Sequence, residues 1–371
     1  MNKGLIALVS ILVISAGAYL FVNNKSSARP LNSTSSVIDT SSREIGVVAE
    51  NLDTPWEIVF LPEGDMLVTE RPGTVRYVNP EGKLAAEPIA EVEGAMEIGE
   101  GGLLGMTLHP DFETNGYVYL YYTYSGQGSN TLNRVVRMRY ENETLSNQEI
   151  MLDAIPGASN HNGGRIAFGP DGNLYITTGD AQEPSLAQNT SSLAGKILRV
   201  TPEGEPAPGN PFANEIYSYG HRNPQGLAWD SQGKLWSTEH GRSGIQSGFD
   251  EVNLIQEGGN YGWPDIQGDE TQNGMIAPIL NSGSATTWAP AGAAIFQNTL
   301  YFVGLRGSSL YETSIQENSL GELNQLFAEE YGRLRIAVLG PDNYLYIATS
   351  NNDGRGVVKE GDDKIIRIPL Q

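Results

Sequence analysis

The chain contains no cysteine. That excludes disulfides, thiolate metal sites, iron–sulfur clusters, covalently attached haem and a cysteine nucleophile. Basic residues are scarce. There are 23 Lys and Arg against 44 Asp and Glu, a formal charge of −21. So acidic a surface repels phosphate backbones, and no nucleic-acid partner is expected. No G-x-S-x-G elbow and no complete G-x-G-x-x-G occur, so serine-hydrolase and Rossmann-type readings lack support. No H-E-x-x-H occurs either, which with the missing thiolates disfavours zinc. Amphipathic helical patterns are few. Residues 317–330 (ENSLGELNQLFAEE) are the best short candidate.

One long apolar run is present, residues 4–22 (GLIALVSILVISAGAYLFV), after Lys3. Its length lies between a signal-peptide core and a bilayer span. Residues 1–28 therefore read as a signal peptide or an N-terminal membrane anchor. Ala16/Ala18 and Ser26/Ala28 are the small-residue pairs that a signal peptidase would use. Either reading places the remainder in a periplasmic or other extracytoplasmic compartment. Membrane contact is expected only through this segment, if it is uncleaved. Residues 29–42 lie in a Ser/Thr/Asn-rich stretch that reads as a flexible linker.

From residue 43 onward one pattern recurs: an apolar residue, a Pro/Asp/Gly turn, then an alternating strand. It appears at Phe60, Leu108, Phe168, Trp229 and Val338, with a degenerate copy at Ile295. The turn residues Gly64, Gly116, Gly172, Gly233, Asn298 and Asn343 are spaced by 52, 56, 61, 65 and 45. Such turns between apolar alternations signal hairpins. A hairpin cannot bury its own apolar face, so a repeated hairpin implies stacked neighbours. The pattern predicts an all-β chain, a six-bladed β-propeller of four-stranded blades over residues 43–371. Terminal strands near 45–50 and 364–368 would close the ring. A pair of β-sandwiches is the alternative, but it needs no six-fold repeat.

The repeat also locates a site. Eleven residues before the turns at Gly172, Gly233 and Asn343 stand His161, Arg222 and Gly332, the last beside Arg333. Alignment on Leu108 brings Glu100 to within one position of the same site. Rotation about a propeller axis would gather a base, cations and a carboxylate at one channel mouth. Asp180 ends the hairpin that returns from the strand after His161. It could hold one imidazole nitrogen and leave the other as a base. Arg222 offers fixed positive charge to a developing oxyanion. His109 and His221 read as structural. The oxygen-rich segments 239–264 suit Ca²⁺, although they match no EF-hand loop.

Several long motifs then carry a family resemblance over about residues 45–369. They are PWEIVFLPEG, GEGGLLGMTLHPDF, HNGGRIAFGPDGNLYITTGD, LAGKILRV, YGHRNPQGLAWD, EHG, DEVNLIQEGGNYGWP and GRLRIAVLGPDNYLYIAT. In this order they resemble the soluble aldose sugar dehydrogenases of the glucose/sorbosone dehydrogenase family, which use pyrroloquinoline quinone (PQQ) on a six-bladed propeller. The resemblance implies His161 as general base, Asp180 as its support, and Arg222 with Asn223 against the quinone. It implies Arg306, Arg333 and Arg335 on the PQQ carboxylates. It implies carbonyl ligands from Gly241 and Arg242 for a Ca²⁺ at the cofactor. A second, structural Ca²⁺ would take Glu251 and the Tyr261 carbonyl. Arg242 stands where relatives commonly have Pro, and Glu100 stands where the family usually has Gln. A carboxylate beside an anionic cofactor is unfavourable unless protonated or paired.

The implied reaction oxidises an aldose at its anomeric carbon to a lactone, by hydride transfer to PQQ. Electrons would pass to an external acceptor, a quinone or cytochrome, because no second redox centre is encoded. Two rival readings are a Ca²⁺-dependent propeller lactonase and a non-catalytic sugar- or partner-binding propeller.

Overall fold

Each repeat folds as the inner hairpin of an antiparallel blade. At Phe168-GPDGNLY, Ile166 pairs with Ile176 and Phe168 with Leu174 across the turn. Gly172 supplies its left-handed residue (φ 75°), a conformation that costs glycine little. The computed structural model describes residues 44–370, apart from 129, 245 and 246. The segments 1–28 and 29–42, read above as signal or anchor and linker, lie outside the described residues.

Six sheets result. Blade 1 runs Pro55–Phe60, Met66–Glu70, Thr74–Val78, Ala90–Glu91 from inside to outside. Blade 2 runs Leu103–Leu108, Tyr117–Ser125, Thr131–Glu141, Thr144–Gly157. Blade 3 runs Ile166–Phe168, Leu174–Thr178, Lys196–Val200, Ile216–Tyr219. Blade 4 runs Pro224–Trp229, Leu235–Glu239, Glu251–Ile255, Leu280–Asn281. Blade 5 runs Pro290–Phe296, Thr299–Gly304, Ser309–Gln316, Ser319–Leu320, with Asn324–Leu326 also paired to its third strand. Blade 6 runs Leu334–Leu339, Tyr344–Thr349, Ile365–Pro369, and takes Gly46–Ala49 as its outer strand. Gly46 pairs with Arg367 and Val47 with Ile366, so the two chain ends close the ring as expected.

The helix expected over 317–330 does not form. Its two short strands pair with Ser309–Gln316 instead. Leu320 and Leu323 pack on the Trp288–Phe302–Tyr311 cluster, while Leu326 and Phe327 cover the next one. The apolar spacing thus serves two separate blade contacts. A lone 14-residue helix interrupted by Gly321 has little intrinsic stability to resist that.

Six apolar clusters fill the six contacts between neighbouring blades. In five blades the inner strand shifts register near its start, as between Pro55 and Glu57, Pro224 and Gly226, or Leu334 and Ile336. A bulge re-aims the side chains within it. Trp56, Gln225 and Arg335 occupy three of these bulges, and they meet although blades 1, 4 and 6 are not all adjacent. Arg335 Nη1 donates to Gln225 Oε1 (2.5 Å) and lies 5.6 Å from the Trp56 ring. From blade 3, Arg165 stacks 4.3 Å from Trp56, donates Nε to the Gln225 carbonyl (2.9 Å) and pairs with buried Glu57. This network crosses the axis and floors the channel.

Beside it, Lys196 holds the loop after the second strand of blade 3. Its fully buried Nζ donates to the carbonyls of Leu186, Ala187 and Ala194 at 2.8, 3.0 and 2.5 Å. The same loop carries Asp180, Gln182 and Gln188. Burial pushes Lys196 down to about 7. The folded value lies below the unfolded one, so the fold binds fewer protons between them. The contribution of Lys196 to stability therefore rises with pH across that window. Two outcomes are expected. Lys196→Met should lower Tm by several degrees, since each orphaned carbonyl costs about 1–3 kcal/mol. Denaturant titrations at pH 7 and pH 9 should show wild type gaining more stability with pH than the variant.

Candidate active site

The loops that enter the inner strands open at one face of the ring. The sequence placed Glu100, His161, Arg222 and Arg333 on or beside the starts of these strands. All four lie in the preceding loops, two to five residues before the strand or immediately adjacent to it. They line one cavity of about 630 Å³, with Asn160, Gln182, His240, Asp250 and Asp353. Its wall carries seven arginines and three carboxylates, in a chain of formal charge −21.

His161 Nδ1 lies 2.7 Å from Asp180 Oδ1. Asp180 is fully buried, and its other oxygen accepts Trp263 Nε1–H (2.9 Å) while Oδ1 also accepts the Gln182 amide (2.9 Å). The carboxylate is thus fixed from three sides and its imidazole keeps Nε2 toward the cavity side. The local sequence explains the placement. His161 adopts φ 61°, and a Cβ on Gly179 would strike the His161 carbonyl. The two glycine-flanked segments approach backbone to backbone.

Arg222 is buried across from this pair. Its Nη2 donates to Ser243 Oγ (2.9 Å), Nη1 to the His240 carbonyl (3.4 Å), and its guanidinium lies 5.4 Å from the Trp263 ring. Burial lowers its pKa. Asn223 Oδ1 accepts the Gly163 amide (2.9 Å), whereas its Nδ2 is buried without a partner. His240 Nε2 is likewise buried without a partner, and burial pushes that imidazole down to about 4.

The three arginines expected to hold carboxylates all reach the cavity, in different states. Arg306 is exposed, with Nη1 on Ser247 Oγ (3.1 Å). Arg333 pairs with Asp353 (2.8 Å). Arg335 is buried, and its hydrogen bond is to the neutral Gln225 amide. Burial pushes Arg335 down to about 9, and Arg333 and Arg71 add like charge. A buried guanidinium without a carboxylate, beside orphaned amide and imidazole nitrogens, is what a bound anion would relieve. The residues present fit PQQ.

Gly241 and Arg242 also line the cavity. Asp250 Oδ1 accepts the Gly241 amide (2.8 Å), and the Arg242 carbonyl already accepts Gly248 N–H (3.2 Å). A carbonyl keeps a second lone pair for a cation. A Cβ on Gly241 would meet the carbonyls of Gly248 and Phe249, so this loop is tight. Glu251 lies outside the main cavity, at a void of about 10 Å³ shared with Glu239, its cross-strand partner. Burial and the Glu239 charge push Glu251 up to about 8. Two carboxylates so placed fit a cation. Tyr261 does not line that void, and its ring stacks on His221 at 4.7 Å.

His221 is buried between Glu239 (2.8 Å) and Ser218 (2.9 Å), and His109 lies in a separate aromatic cluster with Tyr119 and Phe168. Both are structural, as read. Glu100 is paired. Burial raises its carboxyl, but the Arg355 guanidinium outweighs this and holds it below its ordinary value. Sequence reasoning missed Trp263 and Arg355. Trp263 follows the NYG segment and was the readable one; Arg355 has no periodic position.

Known proteins are similar to this chain in sequence and fold. The Glucose / Sorbosone dehydrogenase family matches residues 52–360. The Escherichia coli K12 aldose sugar dehydrogenase YliI is 31% identical over 84% of this chain and 91% of its own. Quinoprotein glucose dehydrogenase B of Acinetobacter calcoaceticus is 33% identical over 62% of this chain and 54% of its own. The PQQ-bound aldose sugar dehydrogenase of Streptomyces coelicolor superposes with a TM-score of 0.82 at 40% identity, covering 88% of this chain and 98% of that one.

The buried cation gives a stability test. Arg335→Met keeps the stem and removes the desolvated charge. The ligand-free protein should melt a few degrees higher, because replacing poorly compensated buried charge by apolar volume is neutral or stabilising. Its affinity for PQQ should fall. Calorimetry of the ligand-free variant checks the first outcome independently of the second.

Proposed function

The chain belongs to the glucose/sorbosone dehydrogenase family, and from that membership we propose that it oxidises aldoses at the anomeric carbon to lactones, with PQQ and Ca²⁺. It is an oxidoreductase, so the lactonase and non-catalytic readings give way. The observation that carries the finer reading is the His161–Asp180 pair, 2.7 Å apart in an arginine-rich cavity.

His161 accepts the anomeric hydroxyl proton at Nε2. Asp180, held by Trp263 and the Gln182 amide, fixes the tautomer and stabilises the imidazolium that forms. Arg222, buried against Trp263 and the His240 carbonyl, supplies positive charge where negative charge develops. Arg306, Arg333 and Arg335 would hold carboxylates of PQQ, and Asn223 with its unused Nδ2 would lie against its ring system. Gly241 and Arg242 would give carbonyl oxygens to a Ca²⁺ there; Glu251, joined by Glu239 and the Tyr261 carbonyl, would hold a structural one. When bound, PQQ supplies the hydride acceptor and its Ca²⁺ a Lewis acid.

An external quinone or cytochrome would take the electrons onward. The apolar run 4–22 supports an extracytoplasmic site, cleaved or anchored.

Dye reduction with aldoses, with and without PQQ plus Ca²⁺, tests the activity. His161→Ala should lower turnover by roughly 10²–10⁴ while PQQ affinity largely survives. Near-normal turnover in the loaded variant removes His161 from the chemistry. Exhaustive chelation should abolish activity and lower Tm, since a metal bound only by the folded state stabilises it. Unchanged melting and activity after chelation would sink the metal assignment.

A further inference from the structure

Arg355 lies on the loop that follows the second strand of blade 6, far in sequence from the Glu100 and Asn160 that its side chain touches. Its side chain is 55% exposed at the cavity mouth, and its Nη1 pairs with Glu100, whose side chain is 21% exposed. Its Nη2 donates to Asn160 Oδ1 (3.3 Å), next to His161. The pairing is anchored at both ends. The Arg355 amide donates to Asp353 Oδ1 (2.9 Å), and Asp353 Oδ2 holds Arg333 (2.8 Å). The Glu100 amide donates to the Ser159 carbonyl (2.7 Å), just before Asn160. One continuous polar rim therefore joins Arg333, Asp353, Arg355, Glu100 and Asn160.

We propose that Arg355 is a positioning residue for the cofactor: it is the counter-charge that lets this cavity carry the Glu100 carboxylate beside an anionic ligand. The inference rests on the PQQ reading above and adds to it a residue and a mode of compensation. Glu100 is ionised and neutralised from the rim. Arg306, Arg333 and the buried Arg335 then keep their charge for the ligand's carboxylates. Remove Arg355 alone, and an unpaired carboxylate faces a tricarboxylate. Remove Glu100 alone, and the cavity gains a cation. Remove both charges, and the electrostatic balance returns.

That sign pattern separates a charge role from a packing role. Purified full-length wild type, Glu100→Gln, Arg355→Ala and the double variant would be titrated in ligand-free form with PQQ, following quinone absorbance. Circular dichroism and melting would establish that each is folded, and an exposed pair of this kind leaves Tm almost unmoved. Arg355→Ala should bind roughly tenfold more weakly, the scale of one partly screened charge. Glu100→Gln should bind several-fold more tightly. The double variant should return to within about threefold of wild type, so the two effects are strongly non-additive in the sense a double-mutant cycle measures. The single-variant differences should shrink at 1 M salt, where screening acts within about 3 Å. Wild-type affinity in Arg355→Ala overturns the proposal. So does a double variant that stays as weak as Arg355→Ala, since that pattern means lost loop packing. Absence of PQQ binding in wild type itself would overturn the cofactor reading, a result distinct from either.

Discussion

A guanidinium taken out of water loses solvation that only an anion, a carbonyl or an aromatic face gives back. This chain places seven arginines around one cavity and meets that cost differently for each. Arg71 takes Glu97, Arg333 takes Asp353, and Arg355 takes Glu100. Arg222 uses loop oxygens and the Trp263 ring. Arg335 has an amide oxygen and, farther off, the Trp56 ring. Arg71, Arg333 and Arg355 have carboxylate partners, whereas the buried Arg222 and Arg335 have neutral ones. The charge of those two is left for a bound anion to meet.

The axial floor holds Arg335 in place. Trp56, Gln225 and Arg335 of three inner strands and Arg165 just before a fourth touch across the ring. Glu57 neutralises Arg165 from below, although burial raises its own carboxyl despite that pairing. The bulges that hold Trp56, Gln225 and Arg335 are features of the inner strands, repeated in five blades but not in the blade that follows Arg165. The same device that shapes the sheet entrance also sets the electrostatics of the cavity.

Much of this was readable because a hairpin turn demands particular residues. Gly172 and Asn343 adopt positive φ at their turns, so the repeat could be phased on them. Once phased, rotation brought His161, Arg222, Arg333 and Glu100 to one mouth without any structure. Asp180 followed from hairpin return. Contacts between loops carry no such phase. Trp263 reaches Asp180 across 83 residues, Arg165 reaches Glu57 across 108, and Arg355 reaches Glu100 across 255. Stacking of neighbouring blades makes the first pair, and the curvature of the ring makes the other two. The spacing of Leu320, Leu323 and Phe327 misled for a related reason. A helical period and two successive blade contacts leave the same apolar pattern over so short a segment.

Closure itself has a consequence for how the N-terminal side of the protein can be processed. Gly46–Ala49 is the outer strand of blade 6, and Ala49 and Leu52 are buried against Ile58, Ile336 and Ile365. The described seam begins at Gly46. A protease cutting upstream of it would leave the described ring whole. One cutting only a few residues further in would expose the edge of Ile365–Pro369 and uncover an apolar seam. The first strand therefore sets a sharp limit on tolerable trimming, and it does so late. Its partner is Ile365–Pro369 of the sixth blade, so the seam stays open until that blade has been made.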